Sequence, residues 1–234
     1  ACVVDDLLMR VTHVIRADEH LANTPRQIRM YEALGQTPPQ FAHVSMILGK
    51  DRIKLSKRHG ATSVAEYRDA GYLPEAMVNF LALLGWAYDD KTEFFTRKEL
   101  IERFSLEKVN PAPSIFTQEK LNWMNGVYIR RLAPNDLAER LMPFLNREGL
   151  EADMETVRRL VPLIQERIKV LSEVVDLVDL FFKEDITYEP QLLIGKKMNA
   201  EESYAALKAA RQALAALPSF DEERLEKVLR KQVD

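Results

Sequence analysis

The sequence predicts an α/β layer followed by an all-α body. Short β-branched runs stand only near the start, helical apolar spacing dominates after about residue 60, and no segment repeats or is low in complexity. At 234 residues the chain has room for one or two domains with a buried core.

Residues 1–4 are β-prone and end at Asp5-Asp6, and residues 11–15 form a second β-branched run ending at Arg16, so both read as strands. Residues 23–35 read as a helix, with Thr24 as N-cap, Pro25 at the first helical position, Ile28, Tyr31 and Leu34 at helical spacing, and Gly35 as the stop. Residues 41–48 are a further strand candidate. Pro74 then opens a helix with Met77, Phe80, Leu81 and Leu84 on one face, stopped at Gly85. Thr96 and Glu99 form a capping box before Leu100, Ile101 and Phe104. Further helices are expected at 117–126, 136–145, 154–182 as one long stretch, and 200–217, with Ser219 to Glu222 capping a last one.

Composition excludes several classes. With 47% hydrophobic and 29% charged residues this is not a disordered tail or a fibrous scaffold. Cys2 is the single cysteine, which rules out an internal disulfide and points to a reducing compartment. No apolar run approaches the roughly 20 residues needed to cross a bilayer, and the start lacks a basic segment followed by an apolar one. The reading is a soluble, cytoplasmic chain with no membrane partner.

The net charge of −3 is unevenly spread, since residues 1–60 carry nine Lys/Arg against six Asp/Glu and the remainder is acidic. Lys50, Arg52, Lys54, Lys57 and Arg58 fall within nine residues, opposed only by Asp51. Such a run is a local polyanion site or a solvated charged loop. Within it, Lys54-Leu55-Ser56-Lys57-Arg58 sets two ammonium groups three residues apart with a hydroxyl between them and Gly60 just after. Lysines there can neutralise phosphate oxygens while Ser56 and backbone N–H groups add hydrogen bonds. Neither Gly-x-x-x-x-Gly-Lys-Ser/Thr nor Gly-x-Gly-x-x-Gly occurs, which removes the main support for a P-loop or a dinucleotide fingerprint.

Arg16-Ala17-Asp18-Glu19-His20 follows a strand end, where open α/β sheets bind ligands. Arg16 can pair bidentately with a ligand carboxylate, or it can simply form a structural salt bridge with the adjacent acids. His13, His20, His43 and His59 all lie in the first 60 residues, but their spacing matches no zinc pattern, and they read as core or surface histidines. Asp5 and Asp6, as neighbours on a strand, point to opposite faces, so at least one is structural, such as a cap on the next turn, even if the other is an acid/base group or a magnesium ligand.

These blocks together carry a resemblance. Val3-Val4-Asp5-Asp6, Thr12-His13-Val14-Ile15-Arg16-Ala17-Asp18-Glu19-His20, Asn23-Thr24-Pro25, His43-Val44-Ser45-Met46-Ile47-Leu48-Gly49 and Lys54 to Ala61, followed by Gly71-Tyr72-Leu73-Pro74, Leu84-Gly85-Trp86 and Lys120-Leu121-Asn122-Trp123-Met124-Asn125, closely resemble the bacterial glutamyl-tRNA synthetases, a family of class I aminoacyl-tRNA synthetases. A lone Lys-x-Ser-Lys is a weak signal. The same blocks in this order and spacing are a specific one, and they cover most of the chain.

The resemblance implies a partial Rossmann-like catalytic domain at 1–60, a helical stem-contact region at 61–132 and a helical anticodon-binding subdomain at 133–234. It implies a glutamate-tRNA ligase, a monomer when intact, with ATP, L-glutamate and tRNA(Glu) as partners. Magnesium arrives with ATP, with no dedicated protein metal site. Lys54, Leu55, Ser56, Lys57 and Arg58 correspond to the family's K-M-S-K-S loop, with Lys57 and Lys54 catalytic and Lys57 at the pyrophosphate leaving group. Arg16 corresponds to the glutamate-binding arginine, and Glu19 to the acid near the ATP ribose and phosphates. Met46 and Ile47 mark the strand whose backbone receives adenine, and Arg167 matches an arginine used at the third anticodon base.

Two departures qualify this. The family's His-Ile-Gly-His signature is absent, so the chain reads as a fragment lacking the N-terminal half of the catalytic domain and the last anticodon-binding subdomain, inactive on its own. Lys50, Arg52 and Ile53 stand where the family often has a Pro-Asp-Gly-Lys type turn, which predicts a stiffer or displaced entry to the loop. The alternatives are a stand-alone tRNA-binding module without catalysis, or a synthetase paralogue with another tRNA specificity.

Overall fold

In the computed structural model, residues 1–56, 63–182 and 188–230 are described. The chain divides into two compact units, Ala1–Phe182 and Lys183–Asp234.

The larger unit begins with a helix, α1 (Cys2–Leu8), where a strand was expected. The reason is local burial: Val3 is buried and Asp6 and Leu7 are half-buried, an i, i+3, i+4 face that only a helix presents, and this outweighs the β preference of two valines. Asp5 and Asp6 therefore do not alternate across a sheet. Strand β1 (His13–Ala17) pairs in parallel with β2 (Gln40–Val44), with Arg16 opposite His43. A 3₁₀ turn (Asp18–Asn23) and helix α2 (Thr24–Ala33) make the crossover. Asn23, not Thr24, precedes the helix, and Gly35 at φ +67° lets the chain turn back toward β2.

The expected strand at 41–48 is broken in two. β3 (Ile47–Leu48) leaves β2 and pairs in parallel with β4 (Ser114–Ile115), a strand hidden in the sequence behind Pro111 and Pro113. A tight reversal follows β3. The Gly49 amide donates to Ile53 O at 2.8 Å, and Arg52 occupies the left-handed region at φ +59°, the conformation for which a turn ordinarily recruits glycine.

The helical part comprises α3 (Val64–Asp69), α4 (Pro74–Leu83), α5 (Arg97–Arg103), α6 (Gln118–Arg131), α7 (Pro134–Arg147), α8 (Met154–Ile164) and α9 (Val174–Val178). Thr96 and Glu99 make the expected reciprocal cap on α5, and Ser63 with Glu66 makes another on α3. α6 does not stop at Gly126. The helix carries Gly126 in its interior, where a Cβ would meet Lys169 at an ordinary contact distance of 3.6 Å, so the glycine does not end it.

The stretch 154–182 is likewise not one helix. It breaks after Ile164, where the Arg167 amide turns back to Ile164 O at 2.8 Å, and the Glu173 carboxylate, which accepts from the Lys169 amide at 2.6 Å, caps the next turn. Ile164, Ile168, Leu171, Val174 and Val178 all remain buried in one core with Leu137, Leu141 and Leu145 of α7. A second core, around Phe80, Phe116, Leu121 and Met124, receives Ile47 and Leu55 and so anchors the segment after β3 to the helices. Arg140 of α7 clamps Glu75 of α4 through two bonds of 3.1 and 3.0 Å, and holds Asp136 at 2.8 Å.

In the smaller unit, α10 (Ala200–Ala215) is capped by Asn199 and Glu202, and α11 (Glu222–Arg230) begins where Asp221 accepts from the Arg224 amide at 3.0 Å. Among the described residues no helix is long and apolar enough to cross a membrane.

Candidate functional site

The parallel register of β1 and β2 sets Arg16 beside His43. The arginine makes no ion pair with Asp18 or Glu19. Instead Nη2 donates to Thr24 Oγ1 at 2.8 Å and to Gln27 Oε1 at 2.7 Å, with His20 O at 3.5 Å, and Nε donates to His43 Nε2 at 3.4 Å. The guanidinium also lies over the Phe41 ring, 5.4 Å from its centroid. Thr24 and Gln27 share a face of α2 at i, i+3, and the Thr24 hydroxyl, read in the sequence as a helix cap, is used here.

Glu19, just after β1, is engaged by Lys54 at 2.6 Å. That hydrogen bond, with the lysine's charge, holds the Glu19 carboxyl below its usual range, so it is ionised at neutral pH. The pair joins the end of β1 to the start of the lysine-rich segment. On the other side Lys50 pairs with Glu119 in the first turn of α6. The carbonyls of Met46 and Ile47 receive backbone donors, from Ser114 at 3.3 Å and Leu55 at 3.0 Å. Leu55 is half-buried against the second core and Ser56 is exposed. Lys57 and Arg58 lie outside the described residues. Arg16, Glu19 and Lys54 are thus brought to one end of the β1–β2 pair, while Met46 precedes β3 and Ile47 opens it, in the separate β3–β4 pair.

Arg167 sits in the turn after α8 and not within a helix. It is exposed and has no side-chain partner among the described residues, whereas Glu166 pairs with Arg130 at 3.8 Å. The turn itself is fixed: Gln165 Nε2 donates to Ile129 O and Leu132 O, both at 3.0 Å, and Ile168 is fully buried. Among the described residues no group of three or more His, Cys, Asp and Glu gathers as a metal site.

Sequence reasoning missed Thr24, Gln27 and Glu119. The signal for the first two was present in the Thr-Pro-x-Gln spacing, which puts both polar groups on the helix face toward the preceding strand. Nothing local in the sequence points to Glu119, which meets Lys50 across 69 positions.

Comparison with known proteins gives the site its context. A family model described as class I tRNA synthetases (E and Q), catalytic domain, matches residues 1–123. The chain belongs to that family. A second model, an anticodon binding domain, matches residues 136–234. Among relatives of this synthetase family, a glutamate–tRNA ligase of Dehalococcoides mccartyi is 55% identical over 98% of this chain, and one of Herpetosiphon aurantiacus is 45% identical over 98%. The chain spans about half the length of these relatives, 48% in both cases. A crystal structure of a glutamate tRNA ligase from Elizabethkingia meningosepticum, in complex with its amino acid, superposes with a TM-score of 0.78 at 28% identity. That match covers 99% of this chain and 49% of the other. The synthetase chain is therefore a partial Rossmann-like layer followed by helical regions, the order expected from the sequence.

Proposed function

We propose that the intact protein is a glutamate–tRNA ligase that activates L-glutamate with ATP and transfers it to the 3' end of tRNA(Glu). The observation that carries this reading is the charge arrangement at the end of β1: among the described residues Arg16 is held by uncharged acceptors and no acid, while the adjacent Glu19 pairs with Lys54. A cation kept from its neighbouring acids is left able to pair bidentately with a ligand carboxylate.

In this reading Arg16 binds the substrate glutamate. Glu19 and the backbone at Met46 and Ile47 border ATP, and Lys54, Leu55, Ser56, Lys57 and Arg58 form the loop around its phosphates. The glutamate α-carboxylate attacks the α-phosphate of ATP, pyrophosphate leaves, and the glutamyl group passes to the terminal adenosine. Lys57 and Lys54 stabilise charge on the departing pyrophosphate, and magnesium enters as part of the ATP substrate. Residues 1–60 act in catalysis, 61–132 in stem contact and 133–234 at the anticodon. The last is supported by the anticodon-domain match over 136–234.

ATP–pyrophosphate exchange with glutamate and tRNA tests the reading. The intact protein is expected to exchange, while the present chain alone forms no glutamyl-adenylate, because β1 and β2 pair only with each other among the described residues and Ile15 is 51% exposed. Parallel strands function buried between layers, and such an edge invites association. Exchange by the isolated chain near the intact level refutes this expectation.

Arg167 is proposed to read the third anticodon base. A guanidinium can bond a base edge or stack on its plane, and this one stands on a fixed turn with no side-chain partner among the described residues. Arg167→Gln is expected to change the ratio of kcat/KM between two transcripts differing only at that base, with adenylation little altered. A uniform loss, with the salt slope lower by about one, marks a phosphate contact instead.

A further inference from the structure

The donors of Arg16 are divided in a way that assigns work to residues beyond it. A guanidinium has five N–H groups. Nη2 directs its two chiefly at Thr24 and Gln27, with His20 O more distant at 3.5 Å, and Nε directs its one at His43. Nη1 has no partner among the described residues.

The acceptors share one property. Thr24 contributes a hydroxyl, Gln27 an amide oxygen and His20 a backbone carbonyl. His43 accepts through Nε2, which requires the neutral ring with its proton on Nδ1. The Thr24 hydroxyl also lies 3.1 Å from that nitrogen, so the three side chains form one connected set. Thr24 is 8% exposed, and the cluster is shielded on this side.

An arginine that needed only to be held in place is held as well or better by a carboxylate, and Glu19 is three residues away. Here that acid is committed to Lys54 at 2.6 Å instead. The result fixes the guanidinium plane with no acid paired to it and Nη1 without a partner among the described residues.

We propose that Thr24, Gln27 and His43 are positioning residues for the substrate carboxylate, neutral acceptors that orient Arg16 without spending its charge. This rests on Arg16 being the glutamate-binding group of the proposed ligase. The charge of position 27 is then a specificity determinant: an acid there occupies the arginine internally and competes with the substrate.

The test is steady-state kinetics of the full-length enzyme with glutamate and ATP varied separately, alongside thermal unfolding. Arg16→Ala raises the glutamate KM and verifies the underlying role. Gln27→Glu, nearly isosteric, raises the glutamate KM by roughly tenfold or more, with the ATP KM unchanged and thermal stability equal or higher, since the new ion pair is formed within the protein. A merely structural role predicts the opposite pattern, a stability change with an unchanged glutamate KM. If Gln27→Glu does not fold, Thr24→Val decides: it raises the glutamate KM, and Thr24→Ser, which keeps the hydroxyl, recovers most of the loss. The inference is overturned if Arg16→Ala raises the glutamate KM while Gln27→Glu, or in its place the Thr24 pair, does not. If Arg16→Ala itself leaves that KM unchanged, the glutamate-binding role falls, and the inference with it.

Discussion

Lys57→Ala in the intact protein is expected to slow glutamyl-adenylate formation by about 2 to 4 kcal/mol, roughly 30- to 1,000-fold, with a much smaller change in ATP affinity. Negative charge on the β- and γ-phosphates grows as pyrophosphate departs, so an ammonium aimed there binds the transition state better than the ground state and appears in the rate. Pre-steady-state kinetics with ATP varied separates the cases. An unchanged maximal rate with only weaker ATP binding assigns Lys57 to ground-state attraction and removes it from catalysis.

Gly71→Ala is expected to cost about 3 kcal/mol of stability or more, the largest loss among the described glycines. Gly71 has φ +94°, and a Cβ there lies 2.7 Å from the backbone nitrogens of both Leu171 and Ser172. Those nitrogens cannot yield cheaply. The Leu171 amide donates to Gly71 O at 3.0 Å, the Ser172 hydroxyl donates to Ala70 O at 2.8 Å, and Leu171 is buried in the main core. Strain and overpacking therefore add. Gly149→Ala is the control, with φ +72° and open space around the added Cβ, so it should lose only about 1 kcal/mol. Urea unfolding of the two variants compares them. A Gly71 variant no less stable than the Gly149 variant contradicts the tight approach of these segments.

The fold was legible where a pattern had one interpretation. The reciprocal cap at Thr96 and Glu99 and the glycine stop at Gly35 are local signals, and each appears as read. The errors arose where tertiary packing overrode a local cue. Val3-Val4 looked β-like, yet burial of one face at Val3, Asp6 and Leu7 made a helix. Residues 154–182 kept helical spacing in their apolar positions because a chain of short helical turns repeats at nearly the same period, so periodicity alone could not reveal the break after Ile164. β4 has two residues and pairs with a strand 67 positions earlier, a contact that no local window contains.

The site divides the same way. Arg16, Glu19 and Lys54 are recognisable from composition and strand-end position, but whether Arg16 meets its neighbouring acids is a question of competition between partners, and only the register of β1 with β2 and the face of α2 answer it. Glu19 goes to Lys54 from 35 positions away.

The most direct measurement of the central claim is charging of tRNA(Glu) transcript by the intact protein, with ATP and labelled glutamate, and with glutamine and aspartate as competitors. The account predicts ATP-dependent attachment of glutamate to the 3' end, undiminished by either competitor and lost in Arg16→Ala at low glutamate. Attachment of another amino acid in preference to glutamate, or tRNA binding with no attachment at all, contradicts it.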